Sequence, residues 1–208
     1  MDHLIEGYRR FRSTTWAQEQ ERFEALARHG QRPRTMIIAC SDSRADPQMI
    51  FDAAPGELFV VRNVANLVPP YNPDSAYHGT SAAIEFAIKA LKVEDVIVLG
   101  HAMCGGVHAL LEGAPDETPD FVTPWMSIAA AARKRAAEAP AGERQRACEL
   151  ETVRLSLANL ESFPWIRAAV AARTLRLHGF YFDIRSGTLM RLGADGTFAP
   201  ISPTDRGE

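Results

Sequence analysis

Long apolar runs, an excess of positive charge and paired cysteines are what this sequence has little of. No stretch approaches the ~20 apolar residues that a membrane-spanning helix needs. The opening residues, Met1 to Ser13, contain no apolar segment of the secretory type. Lys and Arg number 23 against 26 Asp and Glu, a net charge of −3, so neither nucleic acid nor an anionic membrane is an expected partner. Three cysteines, an odd number in 208 residues, do not read as a disulfide framework. There is no Cys-x-x-Cys either, which argues against a thiol oxidoreductase. A cytoplasmic location is the expectation. Internal repeats and low-complexity linkers are also lacking. What is present is a globular composition, 46% hydrophobic and 24% charged, sufficient for one core.

Hydrophobic patterning predicts a β-α-β-α-β-α series, the signature of a parallel sheet with right-handed crossovers. Residues 2–29 read as helix, with a possible break at Ser13-Thr14-Thr15 and a stop at His29-Gly30. Strands are expected at Thr35 to Cys40, Glu57 to Asn63 and Asp95 to Gly100. Between them lie a short helix near Asp46 to Asp52, with Pro47 in its first turn, and an apolar helix from Ser81 to Lys92 expected to be buried on several sides. Another helix starts at Gly105-Gly106. After a turn-rich, acidic stretch from Glu112 to Thr123, helices are expected from Thr123-Pro124, from Glu143 to Leu160, and from Phe163-Pro164 to about His178-Gly179. In the second of these, Ala147, Leu150, Val153, Leu157 and Leu160 make the apolar face. A hairpin, Phe180 to Ile184 and Thr188 to Leu192, closes the chain. The fold class is therefore α/β: a mostly parallel central sheet flanked by helices, with an N-terminal helical arm and a C-terminal β-hairpin at the sheet edge. One domain over residues 1–208 divides into the arm (1–33), an α/β core (34–112) and C-terminal helices and hairpin (113–208).

Two of the strands end in residues that bind metals. The run MIIAC stops at Cys40, with Asp42 and Arg44 after it; DVIVLG stops before His101, with Cys104 three residues on. Ligands of an open α/β sheet gather outside the carboxyl ends of its strands. A catalytic zinc site uses three protein ligands and keeps one position open, and Cys40, His101 and Cys104 supply a suitable donor set. Glycines at 100, 105 and 106 allow the tight turn, and the helix N-terminus at Gly105 offers N–H groups to an anion. Asp42 and Arg44, two residues apart, point the same way in extended chain, so the arginine can hold the aspartate ionised and oriented. The competing readings are a Cys40–Cys104 disulfide, inert buried thiols and a surface ion pair. Cys148 reads as core.

These residues resemble the β-class carbonic anhydrases. The resemblance runs through CSDSR (Cys40 to Arg44), GELFVVRNVANLVPPY (Gly56 to Tyr71), HGTSAAIEFAIKALKV (His78 to Val93) and GHAMCGG (Gly100 to Gly106), four blocks in order between about Gln31 and Leu111. It implies one Zn2+ per subunit on Cys40, His101 and Cys104, with Asp42 and Arg44 as a dyad beside the open position. It implies reversible hydration of CO2 to bicarbonate and a proton, by zinc-bound hydroxide. In the plant-like branch, Gln31 falls where a glutamine reaches substrate across a dimer interface. Phe59 and Val64 fall where apolar side chains line the CO2 pocket. Phe86 stands where that branch often has tyrosine, and is kept here as pocket wall. Gly105 is expected to bind bicarbonate oxygens through its N–H. Ile37 replaces the tryptophan with which a regulated branch holds inhibitory bicarbonate, so an open site is expected. A homodimer or higher even oligomer is implied, with Gln31 and the N-terminal helix at the interface.

Two thiolates and a neutral imidazole leave a zinc centre formally neutral, which points to a mildly alkaline working range. His78 and His108 are the candidate proton shuttles, while His3, His29 and His178 read as helix-end residues. The rival functions are hydrolysis of a CO2 analogue, carbon disulfide or carbonyl sulfide, on the same fold, and a non-catalytic zinc- or bicarbonate-binding subunit.

Overall fold

Within the strand Thr35–Cys40 (β1), alternate side chains serve two different cores. Met36 and Ile38 pack with Val96, Val98, Ile84, Val153, Leu160 and Ile166, whereas Ile37 and Ala39 pack with Leu99 and the half-buried Phe51, Phe180 and Phe182. A strand apolar on both faces needs cover on both, which is why β1 reads as a continuous apolar run. In the computed structural model, which describes residues 1–113 and 118–202, β1 lies inside a six-stranded sheet. Its other strands are β2 (Leu58–Asn63), β3 (Asp95–His101), β4 (Arg176–Asp183), β5 (Thr188–Leu192) and β6 (Phe198–Pro200), in the order β2-β1-β3-β4-β5-β6. The first four are mutually parallel; β5 pairs antiparallel with β4, and β6 antiparallel with β5. The mostly parallel α/β expectation holds.

Helices α1 (Asp2–Ser13) and α2 (Thr15–His29) form the arm, broken at Thr14 as the sequence suggests. Neither buries a residue. Trp16 stacks on Phe23 with Phe11 edge-on to both, and Leu26 presses on Gly56, where any β-carbon would come within 2.8 Å of it. Helix α3 (Pro47–Ile50) is capped by Asp46, whose carboxylate accepts from the Gln48 and Met49 N–H groups. Next come α4 (Gly79–Glu85), α5 (Gly105–Glu112), α6 (Val122–Ser127), α7 (Ala130–Ala136), α8 (Arg144–Glu161) and α9 (Pro164–Ala171). Residues 114–117, within the stretch expected to be turn-rich, lie outside the described residues.

Four local expectations are corrected. The helix beginning at Pro164 stops at Ala171; after Arg173, at φ 57, the chain enters β4 and pairs with β3. His178 is therefore a strand residue, its Nε2 lying 2.8 Å from Asp95. Pairing with a buried strand outweighs the weak helix propensity of RLHGF. A sixth strand, β6, extends the hairpin. The helix over Ser81 to Lys92 is α-helical only to Glu85 and continues as a π turn, Phe86–Leu91; Ile84 and Ala87 are buried but Phe86 is exposed. On α8 the buried stripe is Cys148, Glu149, Thr152, Val153, Ser156 and Leu160. Half of it is polar, so a search for apolar period misplaced the face.

Candidate metal centre and active site

Adjacent parallel strands bring the two sequence motifs together. Ala39 pairs with Leu99, so Cys40 stands beside Gly100 and His101 follows one step later. The turn after His101 is fixed from two directions. Ala102 N–H donates to the Phe182 carbonyl (2.9 Å), and Met103 adopts a left-handed φ of 56. Cys104 then leads into α5. Gly100 leaves no room for a side chain: its β-carbon would lie 2.6 Å from Val153 of α8.

Cys40, His101 and Cys104 are all buried, and their donor atoms lie within 4.8 Å of one another. The sulfurs are 3.9 Å apart, far beyond the ~2.05 Å of a disulfide, so the disulfide alternative falls and both cysteines are free. Two thiolates each ~2.3 Å from a tetrahedral zinc would be about 3.8 Å apart. The His101 ring points the same way. Its Nδ1 lies 2.9 Å from the Ala102 carbonyl, which can only accept, so Nδ1 carries the proton and Nε2 presents a bare lone pair. Among the described residues that buried Nε2 has no hydrogen-bond partner. An acceptor left so would be penalised on burial, and a soft cation satisfies it. With no metal, Cys104 shares its proton with Cys40; this holds the Cys40 thiol below its ordinary range and pushes Cys104 up. Zinc thus fits the donors, their spacing and the orphaned nitrogen.

Asp42 and Arg44 are paired, but through a turn and not an extended chain. Asp42 accepts from the Arg44 backbone N–H (2.9 Å), and the guanidinium grips both carboxylate oxygens (2.9 and 2.7 Å). The same guanidinium donates to the Met103 carbonyl (3.0 Å), tying the two ligand loops together. This fork holds the Asp42 carboxyl well below the usual carboxylate range. Its Oδ2 is 3.9 Å from His101 Nε2, beside the metal position.

Sequence reasoning missed two residues. Arg62 clamps the loop after β1, donating to the carbonyls of Cys40 (2.9 Å) and Asp42 (2.6 Å) and to the Asp46 carboxylate (2.7 Å). A charge inside the otherwise apolar LFVVRN was the available signal. The other, Glu149, reaches the Cys104 backbone from α8, and no motif marks it.

The remaining expected residues divide into near and far. Gly105 is the exposed first residue of α5. Val64 touches that helix start, since a β-carbon on Gly106 would lie 2.7 Å from it. Val64 also lines an open apolar cleft of about 660 Å3 with Asn63, His78, Phe121 and Trp125. Phe59 and Phe86 pack together at 5.9 Å. Phe59 is level with Met36, roughly 13 Å of strand from Cys40. Gln31 is exposed and lies four residues before β1, whose length sets Thr35 about 16 Å from Cys40. His78 pairs with Asp74 at 2.7 Å, and His108 is exposed.

Comparison with known proteins agrees with this geometry. Residues 35–189 match the family described as Carbonic anhydrase. A carbonic anhydrase of Synechococcus elongatus is 36% identical over 197 residues, 92% of this chain and 71% of that one. The solved structure of the β-carbonic anhydrase CcaA superposes with a TM-score of 0.90 at 33% identity, over 98% of this chain and 93% of that one. A β-carbonic anhydrase from Sordaria macrospora, described as tetrameric, gives 0.81 at 31% identity, over 93% and 96%. The chain belongs to the β-class carbonic anhydrase family. It is thus a lyase acting on CO2, bicarbonate and a proton.

Proposed function

We infer that this chain hydrates CO2 reversibly at a site built from Cys40, His101 and Cys104, holding one Zn2+ per subunit, with Asp42 and Arg44 beside it. The observation carrying this reading is the 3.9 Å sulfur pair facing a bare imidazole nitrogen, next to a forked aspartate. Bound there, zinc supplies Lewis acidity that makes water a nucleophile near neutral pH. The protein's part is orientation. Asp42, kept ionised by Arg44, can only accept a hydrogen bond; it takes the O–H of the attacking oxygen and leaves a lone pair facing CO2. Val64 gives CO2 an apolar wall. The Gly105 N–H, free of any intrahelical partner at the start of α5, meets the negative charge that develops on the bicarbonate oxygens. His78 and His108 are candidates to carry the released proton outward. A neutral Cys2His centre favours a mildly alkaline optimum.

The plant-like reading adds a second copy of the chain. Phe59 starts about 13 Å of strand from Cys40, with Phe86 packed on it and Gln31 exposed ahead of β1; an interface would let all three serve a second copy's site. The arm buries nothing, and Leu4, Ile5 and Tyr8 stand exposed on it. These features support a homodimer or larger even assembly. Ile37, fully buried among Ala39 and Leu99, offers no indole for a bicarbonate lock. Among the described residues no helix is long and apolar enough to cross a membrane, and the free thiols suit a cytoplasmic setting.

Metal analysis with stopped-flow CO2 hydration tests the reading. Wild type should carry one zinc per chain and hydrate CO2; Asp42→Ala should keep the zinc and lose at least about a hundredfold in kcat. Stoichiometric zinc without hydration in the wild type would remove it.

A further inference from the structure

Glu149 is a carboxylate almost sealed from solvent, 2% exposed, and it is aimed at the metal loop. One oxygen accepts from the Cys104 backbone N–H (3.0 Å) and from Gln145 Nε2 (2.7 Å); the other accepts from the Tyr181 hydroxyl (2.8 Å). Gln145 Nε2 also lies 3.1 Å from the Cys104 carbonyl, so α8 holds both sides of that residue's backbone. Burial, then the neighbouring carboxylate, keeps the Tyr181 phenol protonated and therefore a donor.

The loop being held has little stiffness of its own. Between His101 and Cys104 it passes through Met103, a non-glycine residue at left-handed φ, a conformation that persists only when its surroundings enforce it. His101 rests on β3, and Cys40 ends β1, a buried strand. Cys104 is the one ligand carried by a turn. Its N–H lies at the start of α5, where no intrahelical acceptor exists, and Glu149 supplies that acceptor.

We propose that Glu149, with Gln145 and Tyr181 in support, is a positioning residue for the Cys104 thiolate, setting metal affinity from outside the ligand shell. The proposal deepens the zinc-site reading and rests on it. Partners that orient metal ligands from behind typically carry 10–100-fold in metal affinity. Two near-isosteric substitutions separate acceptor from bulk. In Glu149→Gln the amide oxygen can still accept from Cys104 and Gln145, while its NH2 faces the Tyr181 oxygen. Glu149→Met fills the same space and accepts nothing.

The test is zinc affinity by competition with a chromogenic chelator, on full-length protein, with Ser156→Ala as control. Ser156 lies on the same buried stripe of α8 but bonds the Asn66 and Val68 backbone, away from Cys104. Glu149→Met should bind zinc about 10–100-fold more weakly, while Glu149→Gln should stay within about threefold of wild type and Ser156→Ala should match it. Should Glu149→Met not fold, Gln145→Met at its half-buried position should still weaken zinc about tenfold. Wild-type affinity in Glu149→Met, or in Gln145→Met where that stands in, would overturn the proposal. So would an equal loss in Ser156→Ala, since that would mark a general effect of destabilising α8. A wild type that takes up no zinc would instead sink the site reading itself.

Discussion

Two neighbouring glycines should respond to the same substitution in opposite ways. Gly105 and Gly106 both open α5, and neither is among the glycines at positive φ. Alanine suits the backbone at each, and replacing glycine there contributes about 0.4–1 kcal/mol by restricting the unfolded chain. At 105 the added β-carbon meets nothing within 4 Å; at 106 it comes to 2.7 Å from Val64 Cγ1, 3.0 Å from Ala65 Cβ and 3.4 Å from Ala65 N. The valine methyl can swing toward solvent. Ala65 cannot retreat, because it is fully buried and held at φ 65. Overpacking of this kind costs about 1–3 kcal/mol. The helix contribution is common to both variants, so their difference isolates the clash: Gly106→Ala should be less stable than Gly105→Ala by about 1–3 kcal/mol. Urea unfolding at one protein concentration and saturating zinc measures it. Because α5 follows directly on Cys104, Gly106→Ala should also retain zinc less well. Equal stability of the two variants would show that α5 can slide freely against the Val64–Asn66 turn, and the account of how the site is buttressed would be wrong.

Acid should loosen the Asp95 end of β3 and β4. Arg176, then His178, hold the Asp95 carboxyl below its usual range; its folded pKa lies under the unfolded ~3.9, so its contribution is complete above about pH 4 and lost as pH falls further. Asp95→Asn should lower stability at neutral pH and flatten the decline below about pH 4, read from thermal melts; an unchanged acid slope would refute this. Burial pushes the Cys148 thiol up to about 11, so a thiol alkylator near pH 8 should modify Cys40 before Cys148 once zinc is chelated, with peptide mapping deciding the order. On the proposed arm-mediated assembly, removing residues 1–33 should lower the number of chains per particle in sedimentation experiments, and an unchanged number would place the interface elsewhere.

Much of this was legible because apolar runs and metal-competent residues coincide. Strands β1 and β3 announce themselves by continuous Ile, Val and Leu, and both end within a residue of where the pattern breaks. The arm's break at Thr14 and the proline starts of α3 and α9 follow from capping and backbone rules acting locally. What stayed hidden depends on partners distant in sequence. His178 reads as a helix end until Asp95, 83 positions away, supplies its partner. Asp42 and Arg44 suggest an extended pair, yet the carboxylate folds the chain back onto the Arg44 N–H. Arg62 and Glu149 act on the ligand loops through backbone groups, the Cys40 and Asp42 carbonyls and the Cys104 N–H, and backbone has no letter in a sequence.

On the zinc reading, a newly made chain completes its donor set before it can hold a metal. All three donors have left the ribosome once Cys104 is out, but the carboxylate that steadies the third lies 45 residues later, about 2–9 seconds of translation. β4, whose Phe182 carbonyl pins Ala102, is later still. A nascent chain therefore displays its thiols before it can seat an ion firmly between them, and durable metallation belongs to the finished polypeptide.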